Sequence, residues 1–274
     1  MAGQFYPADP EELQTMIKQY LAAAEVKWST ERRPRAVMVP HAGYVFSGPV
    51  AAYAYKTLTG QAIRRVFLLG NSHRAYFDGM VVDDSEAWET PLGTVVVDKG
   101  AAEKLASRSE RIFFNGGAHQ GDHILEVQLP FLQTVLEDDF QIVPLVFGNQ
   151  NPHDYQELGR VLSSVWEEGD LVVASSDLSH YPPAEVAETI DRQTLEYIAA
   201  KDIEGLEEYI AAVEARQIPQ EETVLCGPEA VKTIMWLAQE RDWSGEILRY
   251  AHSGNVPFGD SEQVVGYGAV GFGD

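Results

Sequence analysis

The spacing of apolar residues changes repeatedly along the chain, and each change predicts a new helix or strand. Residues 9–12, with the sequence DPEE, combine a helix cap, an early proline and the acidic side chains of a first turn. Leu13, Ile17 and Leu21 then recur at helical spacing. The pattern therefore predicts a first helix over residues 10–25.

Short apolar runs alternate with further helical patterns along the rest of the chain. We predict strands at 35–40, 65–70, 79–83, 93–97, 142–147, 171–174, 246–251 and 264–272. We predict helices at 49–59, 122–138, 153–167, 184–200, 202–213 and 228–240. The alternation is typical of an α/β fold, in which helices flank a central, mostly parallel or mixed sheet.

Three details of this prediction are specific enough to be checked. The runs at 79–83 and 93–97 are expected to be strands of the same sheet as the others. Pro130 is expected to kink the helix at 122–138, because proline lacks the backbone N–H that a helix interior needs. No linker or repeat divides the sequence, so we predict a single domain over residues 1–274.

Composition and charge indicate which partners the protein disfavours and where in the cell it is expected. The 274 residues include 42 acidic and 20 basic side chains, which give a net charge of −22. Such a polyanion repels phosphates, so nucleic acids and anionic membranes are poor partners. No apolar stretch approaches the roughly 20 residues of a spanning helix, and the first ten residues do not resemble a secretion signal. A single cysteine also suits a reducing compartment, so we expect a soluble, cytoplasmic protein.

Three histidines each follow the end of a predicted buried strand. His41 follows the strand at 35–40, His73 the strand at 65–70, and His180, with Asp177 beside it, the strand at 171–174. The carboxyl ends of parallel strands share one edge of a sheet, and ligands bind in the crevice there. We therefore expect these histidines to converge, although any one of them alone would more commonly be an ordinary hydrogen-bonded histidine.

Cys226, the only cysteine, directly precedes the glycine and proline that begin the helix at 228–240. The N-terminus of a helix favours a thiolate, which is a good metal ligand. The alternative is a small buried apolar side chain. Together with the histidines, Cys226 would complete a site of two histidines and one cysteine, whose remaining positions are open to water, O2 or substrate.

The segment 116–126 carries two further candidates, His123 and Glu126. On a helix they would share one face, where the imidazole exchanges protons and the carboxylate orients it. The alternative is an ion pair at a helix start. His119 and His153 are expected to lie outside the site. The sequence has no G-x-S-x-G or P-loop motif, and its G-x-G-x-x-G match at 266–271 lies within the predicted last strand rather than before a helix. These features weaken esterase, NTPase and dinucleotide-binding interpretations.

Seven motifs, in order along almost the whole chain, resemble those of one known family. They are AGQFYPADPEEL at 2–13, VPHAGYVFSG at 39–48, LLGNSH at 68–73, WETPLGTVVVD at 88–98, DHILEVQLPFLQ at 122–133, SSDLSHY at 175–181 and CGPEAV at 226–231. This series resembles the Memo family, the Memo-like protein B of the AmmeMemoRadiSam system. The resemblance implies a fold similar to that of the class III extradiol dioxygenases, the LigB-type non-haem iron enzymes.

The resemblance also implies roles for particular residues. The metal ligands of the family fall on His41, His73 and Cys226, and its further pocket residues fall on His180 and Asp177. His123 and Glu126 match the D-H-x-I-E segment of the family. Extradiol enzymes bind Fe(II) with two histidines and a carboxylate, so the cysteine in this sequence departs from their ligand set.

Two functions of different classes follow from the resemblance. The first is an oxidoreductase that uses Fe(II), with copper or zinc as alternatives, and acts on a small-molecule or peptide-derived substrate, with AMMECR1-like and radical SAM proteins as partners. The second is a non-catalytic adaptor that binds phosphopeptides or proteins. The net charge of −22 disfavours anionic peptides. A zinc hydrolase built on the same ligands is a weaker alternative.

Overall fold

A central sheet of eight strands runs through the computed structural model, which describes residues 1–29, 32–137, 139–148 and 151–274. In this part of the chain the strands are β1 Pro34–Val39, β2 Arg65–Asn71, β3 Met80–Val82, β4 Ala87–Thr90, β5 Gly93–Val96, β6 Ile112–Phe114, β7 Gln141–Phe147, β8 Asp170–Ser175, β9 Ser244–His252 and β10 Gly266–Gly273. The helices are α1 Pro10–Ala23, α2 Tyr44–Thr57, α3 Lys99–Arg108, α4 Leu129–Val135, α5 Asp154–Val165, α6 Ala184–Ala200, α7 Ile203–Glu214 and α8 Pro228–Glu240. None of these helices combines the length and apolar character that a membrane-spanning segment requires.

The order of strands in the main sheet is β6-β3-β7-β2-β8-β1-β10-β9. The four central strands, β7, β2, β8 and β1, run parallel to one another. Strand β10 is antiparallel to both β1 and β9, and β3 is antiparallel to β7. The sheet is therefore mixed with a parallel centre, which confirms the predicted α/β class.

Burial on both faces explains why the central strands are continuously apolar. Every residue of β2 is buried, and its side chains alternate between the two layers of helices. Val66 and Leu68 pack into one apolar core, whereas Phe67 and Leu69 pack into the core on the opposite face. The carboxyl ends of β1, β2 and β8 consequently lie side by side at one edge of the sheet.

One strand that was predicted for the main sheet lies mostly in a separate small sheet. Residues 93–96 of the run form β5, which pairs with β4 in a separate two-stranded sheet, and Val97 makes a single bridge to Ile142 of the main sheet. Burial explains the difference, because only Val95 of β5 is buried. A half-exposed β-branched run looks like a main-sheet strand in the sequence alone. Helix α3 and strands β4 and β6 were not predicted.

Pro130 does not kink a long helix, as the sequence suggested. It occupies the first turn of α4, Leu129–Val135, where a missing N–H costs nothing. Residues 122–128 form a turn and a short 3-10 segment instead of helix. The last residue of the predicted helix, Asp138, lies outside the described residues.

Candidate metal centre

Three imidazole rings meet at the carboxyl edge of the parallel strands. The ring of His41, just after β1, lies 5.1 Å from that of His73, just after β2, between centroids. The ring of His123 lies 5.4 Å from His41 and 5.5 Å from His73. One nitrogen of each ring lies within 4.8 Å of the others. Of the three histidines expected to converge, His41 and His73 thus belong to the cluster, whereas His180 does not and His123 is its third member.

A chain of hydrogen bonds fixes the proton on His41. The Nδ1 atom of its ring lies 2.9 Å from Oγ of Ser175, and that hydroxyl donates to the carbonyl of Ile124 at 2.6 Å. Gln128 Nε2 also donates to the Ser175 hydroxyl, at 2.9 Å. Because the serine proton is already given to a carbonyl, His41 Nδ1 must be the donor in its bond. The lone pair of His41 is therefore on Nε2.

Two buried carboxylates hold the backbone of the strand-end histidines. Asp177 Oδ1 accepts the backbone N–H of His41 at 2.8 Å, and Asp122 Oδ2 accepts that of His73 at 2.8 Å. Burial raises the pKa of Asp177 to about 6. These carboxylates fix the loops that carry the rings. Asp122 was not predicted as a site residue, although it directly precedes His123 in the sequence.

All three rings of the cluster favour the neutral form. Burial and the neighbouring histidines lower the pKa of His41, and burial lowers the pKa of His73. Burial, followed by the neighbouring His73, lowers the pKa of His123 to about 4. Neutral imidazoles carry the free nitrogen lone pair that metal coordination requires.

Cys226 lies against the cluster. Its Sγ atom is 3.3 Å from Nε2 of His41, and it accepts the backbone N–H of Asp177 at 3.1 Å. Burial, and then the charge of Asp177, raise the pKa of the thiol. The expectation of a thiolate at the helix start is therefore wrong for the protein alone, because the cost of burying the charge outweighs the helix terminus. A bound cation would reverse that balance.

His123 and Glu126 do not share a helix face as predicted. His123 lies in the turn before the 3-10 segment, and its ring stacks on Phe5 with 4.1 Å between centroids. The carboxylate of Glu126 accepts hydrogen bonds from the Met1 ammonium at 2.8 Å and from the Tyr6 hydroxyl at 2.6 Å. The hydrogen bonds of Glu126 thus hold the amino-terminal segment in place, so that Phe5 packs against His123 of the cluster.

His180 faces the same region from the side of a cleft. Its Nδ1 atom lies 2.9 Å from the carbonyl of Leu178, which can only accept, so Nδ1 is the donor and Nε2 has the lone pair. Backbone pairing with Thr223 and Val265 fixes its position. With His73 and Cys226, His180 lines an open cleft of about 670 Å³. A substrate in this cleft would meet both the cluster and a histidine able to exchange a proton.

The remaining histidines lie outside the cluster, as His119 and His153 were expected to do. His119 packs against Trp88, with 5.9 Å between ring centroids. His153 precedes α5, and His252 ends β9. Within the described residues, the cluster of His41, His73 and His123 is the one group whose donor atoms lie close enough for a metal ion.

Comparisons with known proteins agree on one family. The sequence profile described as Memo-like protein matches residues 1–271. A MEMO1 family protein of Methanopyrus kandleri is 38% identical over 285 residues, which cover 99% of this chain and 97% of that protein. A MEMO1 family protein of Nitrosopumilus maritimus is 34% identical over 277 residues, covering 99% and 98%.

A solved structure has a similar fold at much lower identity. An uncharacterized protein of Escherichia coli K12 superposes with a TM-score of 0.54 at 15% identity, covering 86% of this chain and 99% of that one. At this identity the likeness concerns the fold alone.

Proposed function

The chain belongs to the Memo family, and we propose that it is a metal-dependent oxidoreductase whose metal is held at the carboxyl edge of the parallel strands. The observation that carries the proposal is the convergence of three neutral imidazoles, with nitrogens within 4.8 Å of one another, next to a cysteine and an open cleft. Each element of the site comes from a different part of the chain, so local sequence does not account for the convergence.

The donor atoms suit a metal ion. Metal–ligand bonds of about 2.0 to 2.3 Å place donors roughly 3 to 4.6 Å apart. The three imidazole nitrogens lie within 4.8 Å of one another, and Cys226 Sγ lies 3.3 Å from Nε2 of His41. The hydrogen-bond chain through Ser175 leaves Nε2 of His41 free, on the side that faces Cys226. We propose that the metal binds at the cluster of His41, His73 and His123, and that Cys226, whose Sγ atom lies 3.3 Å from Nε2 of His41, joins the two strand-end histidines as a ligand when the metal is bound.

The chemistry of the donors favours a redox metal. Nitrogen and sulfur donors suit Fe(II), copper and zinc rather than magnesium or calcium, and we favour Fe(II). Such a metal, when bound, supplies open positions at which O2 or a chelating substrate is activated. We prefer Fe(II) over copper and zinc because the family resemblance implies a dioxygenase-like fold. Metal analysis tests this preference.

The other side chains of the site would exchange protons with a substrate or hold the metal ligands in place. His180 presents Nε2 in the cleft, where it would accept a proton from a bound substrate or return one. Asp177 holds the backbone of His41 and contacts the segment that carries Cys226, so it would fix the spacing between the two ligands. We propose that the substrate is a small molecule or a peptide-derived group that enters the cleft.

A phosphopeptide-binding adaptor fits this cleft less well. Its charged wall residues are the carboxylates of Glu222 and Glu229, and no lysine or arginine is among its described lining residues. Phosphate binding usually depends on arginine or lysine side chains. Association with AMMECR1-like and radical SAM proteins stays a prediction from the family resemblance.

Metal analysis of anaerobically purified protein tests the proposal. The wild type should carry about one equivalent of metal, and His73→Ala and Cys226→Ala should each lose most of it. His153→Ala, which removes an exposed histidine outside the cluster, is the matched control. Equal metal content in the wild type and both site variants would show that the proposed ligands are wrong.

Turnover requires a separate measurement. Metal-loaded wild type should consume O2 with at least one member of a panel of catechols and peptide-derived compounds, and His180→Gln should reduce the rate by about 100-fold, the scale of general acid–base catalysis. Full metal occupancy without O2 consumption by any compound would refute the oxidoreductase and retain the metal site.

A further inference from the structure

A second cavity lies between α1, α2 and β9 and shares no lining residue with the cleft. We call it the α1–β9 groove. Its volume is about 370 Å³, within the range of small-molecule sites. Its apolar wall is formed mainly by Tyr20, Phe46, Pro49, Val50, Tyr53 and Val256. The groove therefore has room and apolar surface for a ligand of moderate size.

Arg249 is the only lysine, arginine or carboxylate side chain among the described lining residues. Its guanidinium carbon lies 5.3 Å from the centroid of the Tyr53 ring. Arg249 is exposed, and no ion pair joins it to a carboxylate of the described residues, so its guanidinium is accessible to a ligand. In a chain of net charge −22, an unpaired arginine beside an apolar groove points to an anionic ligand.

A second positively charged side chain, Lys56, contacts the backbone of a residue that lines the groove. The ammonium of Lys56 donates to the carbonyl of Ala24 at 2.6 Å, and Ala24 lines the groove. His252 adds no charge near neutral pH, since burial lowers its pKa. Among the described lining residues the charge is therefore that of Arg249 alone, although the carboxylate of Glu188 lies close enough to His252 to act on its pKa.

The rim of the groove carries an exposed aromatic side chain. The ring of Phe258 is 69% exposed and meets the ring of Phe46 edge to face, with 5.5 Å between centroids. Exposed aromatic surface that continues into a cavity is typical of binding sites. An apolar ligand in the groove would have this surface to cover.

From this combination we propose that the α1–β9 groove binds an amphipathic carboxylate, a molecule with an apolar body and one carboxylate group. The body would lie on the tyrosine, phenylalanine and valine side chains, and the carboxylate would pair with the guanidinium of Arg249, whose planar fork matches a carboxylate. The site is separate from the proposed metal centre and does not depend on it.

Calorimetric titration of the metal-loaded protein with 2-naphthoate tests the proposal. The wild type should bind 2-naphthoate, and Arg249→Gln should weaken the binding by about 10-fold, the loss expected for one charge-assisted contact. The neutral analogue 2-naphthylmethanol should bind both proteins within about 2-fold of each other. Arg192→Gln is the matched control, because Arg192 also lies over a tyrosine, 5.1 Å from the ring of Tyr250, but outside the groove.

A second variant tests the position of the apolar body. Ala23 lines the groove and is exposed at the end of α1, so Ala23→Phe should fill the groove without disturbing the core and should weaken binding of both probes. The proposal is overturned if 2-naphthoate does not bind, if Arg249→Gln binds it as well as the wild type does, or if removing the metal with a chelator abolishes the binding.

Discussion

The Nδ1 atom of His41 and the Oγ atom of Ser175 lie 2.9 Å apart at the carboxyl ends of two adjacent parallel strands. Because the Ser175 hydroxyl donates to the carbonyl of Ile124, this contact places the His41 proton on Nδ1 and the lone pair on Nε2. The serine thus determines which nitrogen of the ring is available to a metal.

Replacing Ser175 with alanine should disturb both stability and metal affinity. Ser175→Ala leaves buried groups of His41, Gln128 and Ile124 without this partner, so the free energy of unfolding should fall by about 1 to 3 kcal/mol. The freed imidazole should also bind metal about 10- to 100-fold more weakly. Urea unfolding and metal titration measure the two effects.

Ser164→Ala is the control for this substitution, because within the described residues the Ser164 hydroxyl makes a local bond to the carbonyl of Val161 in α5. It should leave metal affinity unchanged. If Ser175→Ala lowers stability but binds metal as tightly as the wild type, the hydroxyl has a packing role and does not orient His41.

Metal binding should release a proton from Cys226. Burial raises the pKa of this thiol, so at pH 7 it is protonated in the protein alone, whereas a metal ligand must be a thiolate. Titration in buffers of different ionisation enthalpy should show about one proton released per metal by the wild type and about one fewer by Cys226→Ala. Equal release by the two proteins would remove Cys226 from the ligand set.

Asp191 should make stability depend on pH. Its carboxyl group is fully buried, accepts hydrogen bonds from the Ser179 N–H at 3.0 Å and the Tyr250 hydroxyl at 2.9 Å, and has a pKa that burial raises to about 7. The folded protein therefore binds a proton that the unfolded chain has lost between about pH 4 and pH 7. The contribution of this group to stability is present below that range and is lost as the pH rises through about 7.

The variant Asp191→Asn removes this titration. Between pH 5 and pH 7 the wild type should lose up to about 1.4 kcal/mol per pH unit relative to Asp191→Asn, measured by urea unfolding. Asp202→Asn, which changes an exposed cap of α7, is the control. A constant difference between wild type and Asp191→Asn over this range would show that the carboxyl does not titrate there.

The sequence predicted the strand-end histidines because their position depends on a regular feature of the fold. Parallel strands end at a common edge, so residues directly after β1 and β2 must lie close together. The sequence reasoning named His123 as a proton-exchanging partner of Glu126 and missed its place in the cluster, because 122–128 resembled the start of a helix but forms a turn and a 3-10 segment. It also missed Asp122, whose bond to the backbone of His73 spans 49 residues.

The polar network around Gln128 that supports the cluster could not be predicted from residue patterns in the sequence. Gln128 lies in an apolar run and looked like an ordinary helix residue, yet its amide contacts Pro40, Ser175 and the hydroxyl of Tyr55. Such contacts depend on the packing of three separate segments. The thiol of Cys226 shows the same limit, since its helix-start position was visible in the sequence but its burial was not.

A crystal structure of metal-loaded protein, with the metal identified by anomalous scattering, tests the central claim most directly. We predict one anomalous peak at the carboxyl edge of the sheet, about 2.0 to 2.4 Å from Nε2 of His41, a ring nitrogen of His73 and Sγ of Cys226. A metal found only on surface carboxylates, or no anomalous peak near these three residues in protein of full metal content, would contradict the proposal.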